Sequence, residues 1–326
     1  MIEKIINGEK IGYTPVWFMR QAGRYMKDYL KMKEKNSFLK MCLNPELSAE
    51  IAVMPVKKFD FDAAIFFSDI LIPFLFMGVG LDYKPKPVID FKLNSKNIKS
   101  LKIAKTDDFH FASESLLNLK EKLPDKDIIG FVGSPFTLLY YLLNEDLNVF
   151  HKLSEEELLD ELMNKITSSV INFAFSQLES KIRIIQIFDT KANLLNGEEY
   201  RKYSLPYNMK LIKVLKSKKV KVIYFFLGGI KIASEARDLN ADCFSVDYSD
   251  KLSSFYRVLG TPLQGNLRPE ALLGGKEEVK KEIKALMDDA KNINGHIFNL
   301  GHGILKNTPE YNVSLAVDFI HNYQKK

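Results

Sequence analysis

Two arginines four positions apart, Arg20 and Arg24, enclose Gln21, Ala22 and Gly23, in a stretch that also holds the chain's only tryptophan, Trp17. From Pro15 to Tyr25 the apolar residues follow neither a 2-residue nor a 3.6-residue period, so packing of a strand or helix face does not account for the string. A guanidinium presents paired donors in a fixed plane, which suits it to gripping carboxylates. The small Ala22-Gly23 step lets the backbone approach a bound molecule closely. The plain alternative is a surface turn carrying two solvated arginines. A second chemical candidate is Asp69, which follows an apolar run and precedes another. It is placed either to cap a helix or to hold a negative charge against an apolar cavity. A cation about 4 Å from such a carboxylate gains roughly 4 kcal/mol at an effective dielectric near 20. A third is His302, set between Gly301 and Gly303, where the flanking glycines free the ring to reach a ligand. The other four histidines, His110, His151, His296 and His321, carry no such setting and read as structural hydrogen-bonders.

These residues need a scaffold, and the rest of the chain supplies one. Short apolar runs at 63–67, 128–132, 184–188, 220–226, 243–247, 262–265 and 296–300 alternate with helical patterns such as 155–179, 198–215 and 269–287. Near-continuous apolar strands separated by helices indicate a parallel sheet covered on both faces. No glycine-rich dinucleotide turn follows the first strand, which favours a closed (β/α)8 TIM-type barrel over an open doubly wound sheet. Seven strands are legible, and the proline-rich stretch 86–91 is the candidate for the eighth. Residues 1–60 read as an N-terminal extension packed on the barrel and contributing to its cleft, and the whole chain, 1–326, as a single barrel domain.

Composition narrows the function classes. With 46% hydrophobic and 27% charged residues, the 326-residue chain has the make-up of a water-soluble globular protein. The most apolar stretch, 70–81, is too short to span a bilayer, and the opening residues carry no apolar leader, so neither a membrane nor secretion is expected. The net charge of +6 is spread over lysines interleaved with acids, which reads as solvated surface and not as a nucleic-acid patch. Cys42 and Cys243 stand far apart and form neither a disulfide framework nor a metal-binding pair, which fits a cytoplasmic protein.

Barrel enzymes place their chemistry at the C-terminal ends of the strands. Those ends offer Asp69, then Tyr140 or Tyr141 in the helix that begins near Pro135, then Asp189 or Thr190, and finally His302. At each place core packing or helix capping is the structural alternative.

Beyond the opening string, the blocks Phe67-Ser-Asp-Ile-Leu71, Gly130-Phe-Val-Gly-Ser-Pro-Phe-Thr137, Gln186-Ile-Phe-Asp-Thr190, Gln264-Gly-Asn-Leu267 and Phe298-Asn-Leu-Gly-His-Gly-Ile304 resemble, in order, those of the uroporphyrinogen decarboxylase family. The resemblance runs from residue 15 to 313. It implies a homodimer of single barrels that works without a cofactor or metal and removes four acetate carboxyl groups from a tetrapyrrole. It further implies that Arg20, Gln21, Ala22, Gly23 and Arg24 line the substrate cleft and that Asp69 meets the pyrrole N–H groups. Tyr141, Thr190 and His302 would bind peripheral carboxylates. Asp69 and Arg20 are the implied catalytic pair: Asp69 stabilises the cationic pyrrole, and Arg20 stands near the path of proton delivery. The chemistry suits a cofactor-free site, because the pyrrole nitrogen itself acts as the electron sink once the ring is protonated on carbon.

The chain departs from the family pattern at Lys191, Asn193, Arg268 and Lys306. None of these is a carried-over contact, so changes in loop shape and pocket rim are expected, not a change of reaction. Two other readings remain. A zinc-dependent methyltransferase moving a methyl group from a corrinoid to a thiol would use a similar barrel, but it needs a His/Cys cluster that this sequence lacks. A porphyrin-binding protein without activity would bind the tetrapyrrole and release no CO2.

Overall fold

The computed structural model describes residues 1–92, 94–154 and 158–323. Nine strands occur among them: β1 (Ala63–Ile65), β2 (Gly80–Tyr83), β3 (Pro87–Asp90), β4 (Asp127–Gly133), β5 (Ile184–Asp189), β6 (Lys221–Phe226), β7 (Cys243–Val246), β8 (Leu263–Leu267) and β9 (His296–Leu300). Seven of them form one curled parallel sheet in the order β1-β4-β5-β6-β7-β8-β9. Each of the seven is buried over nearly its whole length, because helices cover the outside while side chains fill the inside. The fold is a (β/α)8 barrel.

The eighth position is not where the sequence placed it. Residues 87–90 pair antiparallel with β2, Tyr83 opposite Pro87, in a hairpin outside the parallel sheet. Exposure alternates along β3, whereas a barrel strand must be apolar on both faces. What stands between β9 and β1 is the string that opens the chemistry. Val16 bridges in parallel to Phe298. The Phe298 amide donates to the Pro15 carbonyl at 2.8 Å, and the Asp62 amide to the Val16 carbonyl at 2.9 Å. Residues 15–18 are thus the missing stave, too short and too irregular to show a period.

This path through the ring explains how the arginines reach the site. The helix Ile2–Ile6 lies at the N-terminal end of the strands, where the Ile2 amide is bound by Asp127 at the start of β4. The chain then runs up beside β9 and emerges with Arg20 at the C-terminal end. Trp17 anchors it from inside the barrel, its indole N–H donating to Gln264 Oε1 at 2.8 Å. Of the remaining extension, the helix Pro45–Phe59 packs on the helix His110–Lys122 as part of the outer layer.

The helical patterns are broken where backbone chemistry requires it. The expected helix 198–215 is two, Gly197–Tyr203 and Leu205–Ser217, with Pro206 in the first turn of the second. The expected helix 269–287 is a 3-10 turn, Pro269–Leu273, and then Lys276–Asp289 after a glycine pair. Residues 155–157 of the third expected helix lie outside the described residues, and the helix is seen as Leu158–Glu179.

A buried acid just before β1 fastens the stave there and ties it to the helix Glu310–His321. Asp62 accepts from the Val16 amide at 2.7 Å, the Tyr13 hydroxyl at 2.8 Å and His321 Nε2 at 2.8 Å. Burial alone would raise the Asp62 carboxyl, but His321, the Val16 amide and Tyr13 hold it below its usual range. The bond to Asp62 in turn raises His321. The acid's contribution is present above its unfolded value and lost as pH falls through the lowered folded one. The imidazole's is present below its unfolded value and lost as pH rises through the raised one. Both contribute fully between about pH 4 and about pH 6.5. His321→Ala should therefore cost the most thermal stability near pH 5 and progressively less as pH rises above about 6.5 through the raised folded value. A deficit that stays constant across that range would remove the ion pair from the account.

Candidate active site

At the C-terminal pole, Arg20 is the charge that joins the predicted residues. Its guanidinium acts electrostatically on Asp69, Tyr141 and His302, which arrive from beyond β1, β4 and β9. Arg20 itself is exposed and takes a left-handed backbone, φ 62°. That conformation turns the chain sharply out of the stave, and the Gln21 amide closes the turn on the Phe18 carbonyl at 2.9 Å.

The glycines around His302 are required by close approach. A Cβ on Gly301 would stand 2.6 Å from the Tyr248 backbone nitrogen, and one on Gly303 would stand 2.5 Å from Cδ of Arg20. The Arg20 stem thus lies directly on the Gly-His-Gly turn. The Gly303 amide donates to His302 Nδ1 at 2.7 Å, so Nδ1 is the acceptor and the neutral ring carries its proton on Nε2. Burial, reinforced by Arg20, lowers the imidazole below its ordinary value and favours that neutral donor form. Gly303→Ala should displace Arg20 while the barrel stays folded, because the clash is with a side chain. We expect KM for substrate to rise roughly tenfold with little change in thermal midpoint, about the worth of one misplaced charge-assisted hydrogen bond. Unchanged KM would show that the Arg20 stem has room to move.

Asp69 lies four residues beyond β1 and is partly accessible to solvent. The Leu71 amide donates to its Oδ1 at 2.9 Å. The bond holds a turn before the short helix Pro73–Met77, whose own N-cap, Ile72, makes no side-chain bond. The capping alternative therefore accounts for part of this aspartate. Burial pushes the carboxyl above its usual range, against the pull of the Leu71 amide, Tyr83 and Arg20. An anion held this way is poorly solvated and gains strongly from any cation placed beside it.

Of the two tyrosines in the helix Pro135–Leu142, Tyr141 is the one within electrostatic reach of Asp69 and Arg20; Tyr140 is felt by Glu145 and Asp146 instead. Lys191 lies over both rings, its Nζ 4.8 Å from the Tyr140 centroid and 4.9 Å from that of Tyr141, and pairs with the exposed Glu145 at 3.3 Å. Sequence marked Lys191 only as a departure; the structure makes it a cation at the rim beside Tyr141. After β5, Asp189 and Thr190 separate clearly. Asp189 is fully buried and accepts from Thr137 at 2.8 Å, Ser204 at 2.9 Å and Tyr224 at 2.6 Å. It ties the strand to the Tyr141 helix through Thr137. Thr190 stays half-buried at the strand end.

The remaining loop residues divide. The Gln21 side chain is buried and occupied within the protein, accepting from the Phe18 amide at 3.2 Å and donating to the Ala63 carbonyl at 3.0 Å. Its side-chain amide staples the loop to β1, while its backbone N–H donates to the Phe18 carbonyl and its carbonyl accepts from the Tyr25 hydroxyl at 2.7 Å. Ala22 packs partly against the core, and a Cβ on Gly23 would press the Arg20 carbonyl at 3.0 Å. Arg24 is exposed, and the group that feels its charge is Tyr29. Arg268 turns to Glu282 at 3.0 Å, and Lys306 is exposed. Tyr83 is the neighbour of Asp69 that sequence did not suggest, since it ends β2 of a hairpin whose other strand alone was read, as a barrel stave. Among the described residues, no group of three or more His, Cys, Asp or Glu side chains could hold a metal ion, and no helix is long and apolar enough to cross a membrane.

Comparison with known proteins follows the same lines. The family model described as uroporphyrinogen decarboxylase (URO-D) matches residues 1–323. The uroporphyrinogen decarboxylase of Geotalea uraniireducens is 36% identical over 329 residues, spanning 98% of this chain and 97% of that protein. That of Thermodesulfovibrio yellowstonii is 36% identical over 331 residues, with the same shares covered. Among solved structures, a methyltransferase from Methanosarcina mazei superposes with a TM-score of 0.81 at 20% identity, over 97% of this chain and 96% of its own. At that identity the likeness concerns the fold alone.

Proposed function

The chain belongs to the uroporphyrinogen decarboxylase family, and from that premise we propose that the pole carrying Arg20, Asp69, Tyr141, Thr190 and His302 converts the four acetate side chains of uroporphyrinogen III to methyls, giving coproporphyrinogen III. The observation that carries this reading is the convergence of Asp69, Tyr141 and His302 on Arg20 from three different strand ends. Asp69 is the fixed negative partner. Arg20 and Arg24 grip acidic side chains at the rim with Tyr141, Thr190 and the Nε2–H of His302, and the backbone of 21–23 forms one wall.

In each round a proton adds to a ring carbon next to the one bearing the acetate, and the positive charge spreads to the pyrrole nitrogen. The bond to the carboxylate breaks, CO2 leaves, and its electron pair forms an exocyclic double bond that discharges the ring. A second proton converts the methylene to methyl as the first is lost. One carboxylate and one proton thus become one methyl C–H and CO2. Asp69 stabilises the state in which the ring is positive; Arg20 positions the reacting acetate and stands near the proton path. The reaction is proposed to need no cofactor, because the ring supplies the electron sink. The protein is proposed to act as a cytoplasmic homodimer of single barrels spanning 1–326, a state that sedimentation at working concentration would check.

The decisive experiment is anaerobic incubation with uroporphyrinogen III, followed for coproporphyrinogen and CO2. Tight binding without CO2 would establish the inactive porphyrin-binding alternative. Stoichiometric zinc with methyl transfer to a thiol would establish the methyltransferase, for which the described residues offer no ligand cluster.

A further inference from the structure

The hairpin β2–β3 lies outside the barrel, yet it ends its first strand on a tyrosine with an unusual hydroxyl. The Tyr83 oxygen is shielded from solvent and, among the described residues, has no hydrogen-bond partner of normal geometry. A buried hydroxyl left unpaired costs stability, and this one stands beside an acid. Tyr83 and Asp69 act on each other directly, and Tyr83 also feels Cys42 and Tyr141. The ring is clamped from the far side: Phe38 meets it edge-on with centroids 4.7 Å apart, and Phe38 in turn packs on Phe67 at 5.9 Å, two residues before Asp69. The pairing of Tyr83 with Pro87 and the Lys84 amide bonded to the Lys86 carbonyl at 2.9 Å hold the strand end in place.

Resting on the reading of Asp69 as the counter-charge, we propose that Tyr83 is a positioning residue of this site, its hydroxyl donating to the Asp69 carboxylate whenever that group is ionised. Leu71 holds one side of the carboxylate and Tyr83 holds it from the hairpin. Its rotation is thereby set before the substrate arrives. The hairpin gains a role that the barrel ring does not give it. Four groups face Asp69 from the elements packed around it: Arg20 from the loop, Cys42 from the helix Phe38–Leu43, Tyr83 from β2 and Tyr141 from the helix after β4. Burial keeps the Cys42 thiol protonated, and Tyr141 feels the acid as a charge only. Tyr83 is therefore the hydroxyl that distinguishes the ionised from the neutral carboxyl.

The test is Tyr83→Phe, which removes one oxygen and keeps the ring on Phe38. In ligand-free protein labelled with carboxyl-13C aspartate, the Asp69 resonance, assigned by its loss in Asp69→Asn, should titrate about one pH unit higher in Tyr83→Phe than in the parent protein. The acid limb of kcat/KM for uroporphyrinogen III should move by the same amount, with kcat down about tenfold and KM within about twofold. Superimposable titrations overturn the proposal, as does a fall in kcat without a shift, since that would mark a purely structural role. The titration decides Tyr83 even if the parent protein releases no CO2, an outcome that would count against the decarboxylase reading alone.

Discussion

Asp69→Asn is expected to leave uroporphyrinogen binding close to its starting strength and to slow decarboxylation by two to three orders of magnitude. The amide keeps the size of the group and can still accept the Leu71 N–H, so the turn before Pro73–Met77 survives. What it loses is the negative charge. If a pyrrole cation forms about 4 Å away at an effective dielectric near 20, the missing attraction is roughly 4 kcal/mol. That is about a thousandfold in rate when the cation exists mainly in the transition state. Because burial holds the carboxyl above its ordinary range, activity in the parent protein should fall as pH drops through that raised value, when the acid becomes neutral. The variant should lack this acid limb. Single-turnover CO2 release against equilibrium binding separates the two effects. Undiminished turnover would falsify the counter-charge role.

Arg20→Ala should act chiefly on binding. Its guanidinium lies on Gly303 and within reach of Asp69, Tyr141 and His302, where no other arginine takes its place among the described residues. A charge-assisted hydrogen bond to a carboxylate contributes about 1.5–3 kcal/mol, so KM should rise by roughly one to two orders of magnitude. Arg20→Lys should recover part of this, since an ammonium keeps the charge but not the planar fork. A second readout needs no turnover. Arg20 helps hold His302 below its ordinary value, so in the alanine variant the His302 ring should titrate at higher pH by NMR. Unchanged KM together with an unmoved His302 titration would take Arg20 out of the site.

Much of this was legible in the chain because the relevant signals are local. Seven apolar runs became the seven strands of the parallel sheet, each within a few residues, since burial on both faces leaves a continuous hydrophobic string. Asp69, Tyr141, Thr190 and His302 stand just beyond strands, and strand ends can be read from where those strings stop. The eighth stave escaped because residues 15–18 are held by bonds to Phe298 and Asp62, partners far away in sequence, and so carry no period of their own. The stretch 86–91 was misread because a proline-flanked run in an exposed hairpin and a short barrel strand look alike until exposure is known. Gln21 was grouped with its neighbours as a contact; its side-chain amide joins the Phe18 amide to the Ala63 carbonyl of β1, a link between residues distant in sequence that leaves no local pattern.

Residue types and their order along the chain were enough to specify a parallel α/β barrel and the kinds of group at its mouth: guanidiniums, a carboxylate, a hydroxyl and an imidazole. Which of them meet was decided by ring closure. The N-terminal stave carries Arg20 to the Gly-His-Gly turn, and the hairpin brings Tyr83 against Asp69. Neither juxtaposition leaves a local trace, because each depends on contacts between residues distant in sequence, and those exist only once the ring has closed and the core has excluded water.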